Sequence, residues 1–144
     1  MTIKYQLPEF LTNIVTQAAY EKWLHRKAQG LFRKYKKKAD MTATISEYKI
    51  AIHKVVDNCC GRDAYSQEQL DWHLLSTYDN EKSKKEGRAY KRKFDLLPSI
   101  DHVSGDGTGA SDFKICSWRT IDSKNDMSMD EYVDLCKKII KYNS

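Results

Sequence analysis

The stretch "LLPSIDHVSGDGTGASDFKICSWRTIDSKNDMS", residues 96–128, decides how the chain is read. Two short apolar runs, "FDLLPSIDHV" and "DFKICSW", flank the loop "SGDGTGAS", which holds three glycines in eight residues. Pro98 argues against a helix in the first run and allows an edge strand. The second run alternates, with Phe113, Ile115 and Ser117 on one side and Lys114, Cys116 and Trp118 on the other. The pattern therefore predicts strand, loop, strand, and then a brief helix over the polar "RTIDSKND". Asp101 and His102 fall together at the end of the first strand.

Elsewhere the apolar period is helical. Leu11, Ile14, Ala18, Leu24, Ala28, Leu31 and Tyr35 recur mostly at three- and four-residue steps, which predicts one long helix over residues 9–37, with Gly30 as a weak point. A second helix is predicted from Ser46, as its cap, to Asn58, with Tyr48, Ile52, Val55 and Val56 on its apolar face. "NCCGRDAYSQEQLDW" breaks that pattern. It reads as a loop or short hairpin anchored by Tyr65, Leu70 and Trp72. Residues 78–93 are polar and basic and read as a weakly helical surface connector. The last helix follows a capping-box pattern of Ser128 and Glu131. Its apolar positions are Met129, Tyr132, Val133, Cys136, Ile139 and Ile140, and Lys137, Lys138 and Lys141 close it. These elements predict an α+β, mostly helical fold. A single domain over 1–144 comprises an N-terminal helical part, 1–60, and a hairpin part with the C-terminal helix, 61–144.

Composition sets the outer limits. With 40% hydrophobic and 31% charged residues, the chain suits a soluble globular protein. No apolar run approaches the roughly 20 residues of a membrane span, and the N-terminus lacks a signal-peptide pattern, which predicts a cytoplasmic protein with no membrane partner. Adjacent Cys59 and Cys60 do not make an ordinary disulfide framework, and the cysteine spacing does not suit a structural zinc. Cys116 and Cys136 read as small core residues. From Lys22 to Lys38 there are eight basic residues and no acid, and from Glu81 to Lys93 seven basic residues and two acids. From Asp101 onward there are six basic residues and eight acids, so the basic excess lies ahead of the Asp–His segment. Basic clusters attract polyanions, of which nucleic acid is the commonest, although a helix's C-terminal dipole also accounts for cations in its last turns.

An Asp–His pair beside a loop suits phosphodiester hydrolysis. A neutral histidine can take a proton from water near physiological pH. A hard divalent cation such as magnesium can polarise the phosphoryl oxygen and stabilise the leaving group. Residues 100–140, "IDHVSGDGTGASDFKICSWRTIDSKNDMSMDEYVDLCKKII", resemble the active-site half of the HNH nucleases, also called His-Me finger or ββα-metal nucleases. The upstream "YEKWLHRKAQGLFRKYKKK", "EYKIAIHKVV" and "DAYSQEQLDW" resemble the N-terminal part of bacterial proteins carrying that motif. The resemblance implies a ββα-metal hairpin packed against the N-terminal helices. It implies a metal-dependent endonuclease acting on double-stranded DNA, with magnesium or manganese as cofactor. It makes His102 the general base and Asp101 a metal ligand. Asp112 stands where the family has its central Asn, and Arg119 and Lys124 become phosphate contacts. Arg26, Lys27, Arg33, Lys34 and Lys37, with Lys84, Lys85, Arg88 and Lys91, would hold the phosphate backbone.

One position departs from the family. Its last motif Asn, three residues before Lys124, is Ile121 here, which has no lone pair to offer a metal. Three explanations stand open: Asp122 replaces the missing ligand, Asp101 and waters bind metal weakly, or cleavage is lost and binding kept. The last makes the chain a catalytically degenerate nucleic-acid-binding protein. A protein-interaction domain is a third functional class. His25 and His53 fall within predicted helices and His73 beside Trp72, where each has an ordinary structural reading.

Overall fold

A computed structural model describes residues 3–36, 43–103 and 113–144. The hairpin forms as its sequence predicts. Strand β1, Pro98–His102, pairs antiparallel with β2, Phe113–Ser117. Pro98 lies opposite Ser117 at one end, and His102 opposite Phe113 at the other. Ser117 ends β2 and also caps the next helix, α5, Trp118–Lys124, because its Oγ accepts from the Thr120 amide at 3.0 Å. Strand therefore passes into helix without a linker, which places the whole of α5 beside β1.

The core lies between this hairpin and two long helices. Helix α1, Gln17–Tyr35, buries Tyr20, Trp23, Leu24, Ala28 and Tyr35. Helix α2, Ile45–Asn58, buries Tyr48, Ile52 and Val56, packs along α1 and reaches Ile115 and Phe113 of β2. The long helix predicted over 9–37 begins later. Residues Glu9–Leu11 form a separate 3-10 turn, and Asn13 adopts φ 68°, a left-handed conformation that Asn tolerates and a helix does not. Thr16 then caps α1, accepting from the Ala19 amide at 3.1 Å. At α2 the cap is Thr44 and not Ser46. Thr44 and Glu47 complete a reciprocal capping box, so the favourable Ser46 falls inside the first turn.

The basic connector is more ordered than its charge suggests. Asp79 caps α3, Asn80–Glu86, by accepting from the Glu81 and Lys82 amides. Gly87, at φ 64°, turns the chain into α4, Arg88–Arg92. Tyr78, Tyr90, Phe94 and Trp118 gather around this turn with contacting centroids 4.9–5.3 Å apart, Tyr78 meeting Phe94 and Trp118 edge to face, and anchor a segment that otherwise presents charge to water. The last helix, α6, Met129–Asn143, is capped by Ser128, whose Oγ accepts from the Glu131 amide at 3.1 Å. It buries none of its residues, so Cys136 is half-buried there and is not the core residue predicted, whereas Cys116 of β2 is fully buried. No helix among the described residues is long and apolar enough to cross a membrane.

The segment between α2 and α3 docks on the hairpin through one carboxylate. Gly61, at φ 77°, lets the chain fold so that its carbonyl accepts from both the Leu70 amide and the Trp72 indole at 3.0 Å. Two residues on, Asp63 is completely buried. Its Oδ1 accepts from the Tyr65 and Ser66 amides at 2.7 and 3.1 Å, and its Oδ2 from the Ser117 amide and the Thr120 hydroxyl at 2.8 and 2.9 Å. Burial pushes this carboxyl up, but the three amides and the hydroxyl outweigh it and hold Asp63 below the ordinary carboxylate value.

Asp63→Ala strands buried donors and is expected to cost about 3 kcal/mol, read as the fall in urea midpoint. Because the folded value is depressed, the contribution of Asp63 is complete above the unfolded carboxylate value near 4. It is lost as pH falls through the lower folded value. Asp63→Asn should therefore show a shallower loss of stability than the natural chain when acidified below about pH 4.

Candidate functional site

The end of β1 opens into a cleft of about 700 Å³. Leu31, Lys34 and Tyr35 from the end of α1 form one wall, and Ile121, Asp122 and Lys124 of α5 form another. Asp126, Met127 and Glu131, at the turn into α6, close a third side. Asp101, His102 and Val103 lie at the floor and mouth, so the hairpin geometry puts the Asp–His pair where a ligand could reach it.

The two members of the pair have different surroundings. Asp101 is held in the interior. Its Oδ2 accepts from the Tyr65 hydroxyl at 2.6 Å and lies 3.3 Å from Lys124 Nζ, and both side chains of that ion pair are less than a tenth exposed. Such a pair is stable only when each charge keeps the other, since removing one leaves an uncompensated buried charge. The Tyr65 hydroxyl is driven well above its ordinary value, first by burial and then by its bond to the Asp101 carboxylate, and so stays a donor. Beneath it the Cys116 thiol is pushed up to about 12, by burial first and then by the charges of Asp63 and Asp101. The raised value favours the neutral thiol at this position.

His102 is only half-buried and sits at the cleft. Its ring packs against Tyr35 and Phe113, each with centroids 5.0 Å away, and its Nδ1 lies 2.6 Å from the Tyr35 hydroxyl. Burial, and next the Asp101 carboxylate, raise the Tyr35 hydroxyl. Either group can be the donor in this bond. A general base requires the tautomer in which Nδ1–H donates to Tyr35 and Nε2 carries the lone pair.

The remaining expected site residues are dispersed. Asp122 lines the cleft, but its carboxylate pairs with Lys91 Nζ at 2.9 Å. Arg119 lies outside the cleft lining and grips the Glu68 carboxylate with two bonds of 2.5 and 2.6 Å, which ties α5 to the docking segment. Lys124 is buried on Asp101. Asp112 and Lys37 lie outside the described residues. Of the basic residues, Lys34 lines the cleft, Arg33 is exposed on the same turn, and Arg26 donates to Ser76. Lys27 is half-buried, and burial followed by the neighbouring Arg26 lowers its pKa. Lys84 pairs loosely with Glu81, Lys85 is exposed, and Arg88 and Lys91 line a groove of about 560 Å³ with Arg92. Cations from α1 and α4 thus flank α5 on two sides. Among the other histidines, His53 is a structural partner of Tyr20 at 2.7 Å, and His73 is exposed outside the cleft lining.

A divalent ion does not fit the described residues as they stand. No three His, Cys, Asp or Glu side chains among them converge. The Asp101 carboxylate is satisfied by an ammonium and a phenol, Asp122 is neutralised by Lys91, and the apolar Ile121 lines the cleft between them. Tyr35 and Tyr65, which organise the site, are 67 and 36 positions away from their partners. Their sequence signal was only that of apolar anchors. Compared with family models, with curated proteins and with solved structures, the chain shows no match.

Lys124→Met is expected to destabilise the protein by about 3 kcal/mol, because Asp101 is left buried and unpaired. Lys124→Met combined with Asp101→Asn should recover most of that loss. A double-mutant cycle by urea unfolding measures the difference as a coupling energy.

Proposed function

We propose that the chain is a nucleic-acid-binding protein built on an HNH-like ββα hairpin, and that the hairpin as it stands does not carry a metal. The observation that carries this reading is the buried ion pair between Lys124 and Asp101. It occupies the carboxylate that the family resemblance assigns to a metal, while Ile121 supplies no substitute. Double-stranded DNA is the proposed partner. Lys34 and Arg33 near the cleft and Arg88 on the far side of α5 present cations for the phosphate backbone, and Lys91 joins them only by leaving Asp122. Contacts of that kind give affinity without reading base sequence.

A second reading, a metal-dependent endonuclease using magnesium or manganese, is favoured by one observation. His102 is oriented at its Nδ1 by Tyr35 beside an open cleft, as a general base must be. It requires Asp101 and Asp122 to leave their lysines. A fold alone does not decide between the two, since function lives in the site.

Purified protein is expected to retard plasmid DNA at low salt and to lose it as salt rises. Arg33→Glu with Lys34→Glu should weaken retention and lower the slope of log affinity against log salt by roughly 0.9 for each contact removed. No nicking is expected in magnesium or manganese. Metal-dependent nicking that disappears with EDTA and in His102→Ala would establish the second reading instead. Neither retention nor nicking would end the nucleic-acid reading. Restoration of cleavage by Ile121→Asn would identify the natural chain as a degenerate nuclease.

A further inference from the structure

Helix α6 carries an apolar stripe that the described residues cover only in part, Ser123 of α5 meeting the Tyr132 hydroxyl at one side of it. Val133, Ile139 and Ile140 are 39%, 52% and 63% exposed, while Met129, Tyr132 and Cys136 beside them are half-buried. At 100° per residue these six positions fall on one side of the helix, and the stripe is centred on Cys136. Cys136 is also the midpoint of Met129–Asn143.

The sequence is chemically symmetric about that midpoint. Val133 and Ile139 lie three residues before and after Cys136, and Tyr132 and Ile140 four before and after. One edge of the stripe reads Asp130, Asp134, Lys137, Lys141, all exposed. None of the four has an ion-pair partner among the described residues. This acid–acid–base–base order becomes base–base–acid–acid on a second copy running the other way.

We propose that α6 is a self-docking surface on which a second copy of this chain packs antiparallel, about a two-fold axis passing beside Cys136. In that register Val133 meets the partner's Ile139 and Tyr132 meets the partner's Ile140. Asp130 and the partner's Lys141, and Asp134 and the partner's Lys137, lie one residue's rise, about 1.5 Å, from level, an offset that lysine side chains span. Each relation occurs twice, as an isologous contact demands. A parallel pair would set acids against acids and bases against bases, so the edge charges select the direction as well as the partner. The helix is about 22 Å long, shorter than a standard interface needs, so the dimer is concentration-dependent and sensitive to salt.

Sedimentation equilibrium of the full chain at low salt tests this. The natural chain is expected to shift from monomer to dimer with concentration. Asp130→Lys with Asp134→Lys makes the edge uniformly basic, and Lys137→Glu with Lys141→Glu makes it uniformly acidic. Each double variant should weaken dimerisation about tenfold or more, and an equimolar mixture of the two should recover it. All four side chains are exposed, so unchanged far-UV circular dichroism is expected, and recovery in the mixture shows that both variants remain folded. A natural chain that stays monomeric at every concentration overturns the proposal and gives the stripe to a different protein. A dimer that withstands both charge reversals also overturns it, because another surface then holds the copies together.

Discussion

A single buried carboxylate joins the two halves of this molecule. Asp63 takes two amides from its own loop, and an amide and a hydroxyl from the junction of β2 and α5. It fixes the first turn of α5 against the segment that follows α2 from within the interior. Arg119 and Glu68 repeat the link at the surface, and the Ala64 amide, donating to the Ile115 carbonyl at 2.9 Å, adds a third strand-like contact. The cost of burying a charge is offset here by hydrogen bonds and not by a counter-ion, which is the arrangement that lowers a carboxyl pKa despite desolvation.

The cleft inherits its shape from that junction. Once α5 is fixed, Lys124 falls on Asp101 and Ile121 on the cleft wall, while the end of α1 brings Tyr35 to His102. One side chain of the Asp–His pair is thereby spent on the interior and the other is presented at a surface. This division distinguishes the site from one in which both would serve a ligand.

The hairpin, the helical period of α1 and α2, and the start of α6 were legible because each rests on local signals: alternation, a 3.6-residue repeat, and a serine cap. Asn13, Thr44 and Gly87 show where local reading slips, since a turn or cap one or two residues away moves an element boundary without changing the apolar pattern. The roles of Asp63, Tyr65 and Tyr35 were not legible. Each depends on a partner tens of residues distant, and nothing in a tyrosine's neighbours says whether its hydroxyl meets water, a carboxylate or an imidazole. The bond of Arg119 to Glu68 was hidden for the same reason, because an exposed arginine looks alike in sequence whatever anion it holds.

The separation of 54 positions between Asp63 and the amide of Ser117 also bears on how the chain is made. During synthesis α1, α2 and the Gly61–Trp72 segment emerge first, and their core can begin to collapse. Half of the donors to Asp63 do not yet exist, however, and an ionised carboxylate cannot enter an apolar interior without them. The carboxylate must stay hydrated until β2 and the start of α5 leave the ribosome. Closure of the core therefore waits for the last third of the chain. The helical N-terminal part and the hairpin thus share one buried charge, and its burial needs donors from both.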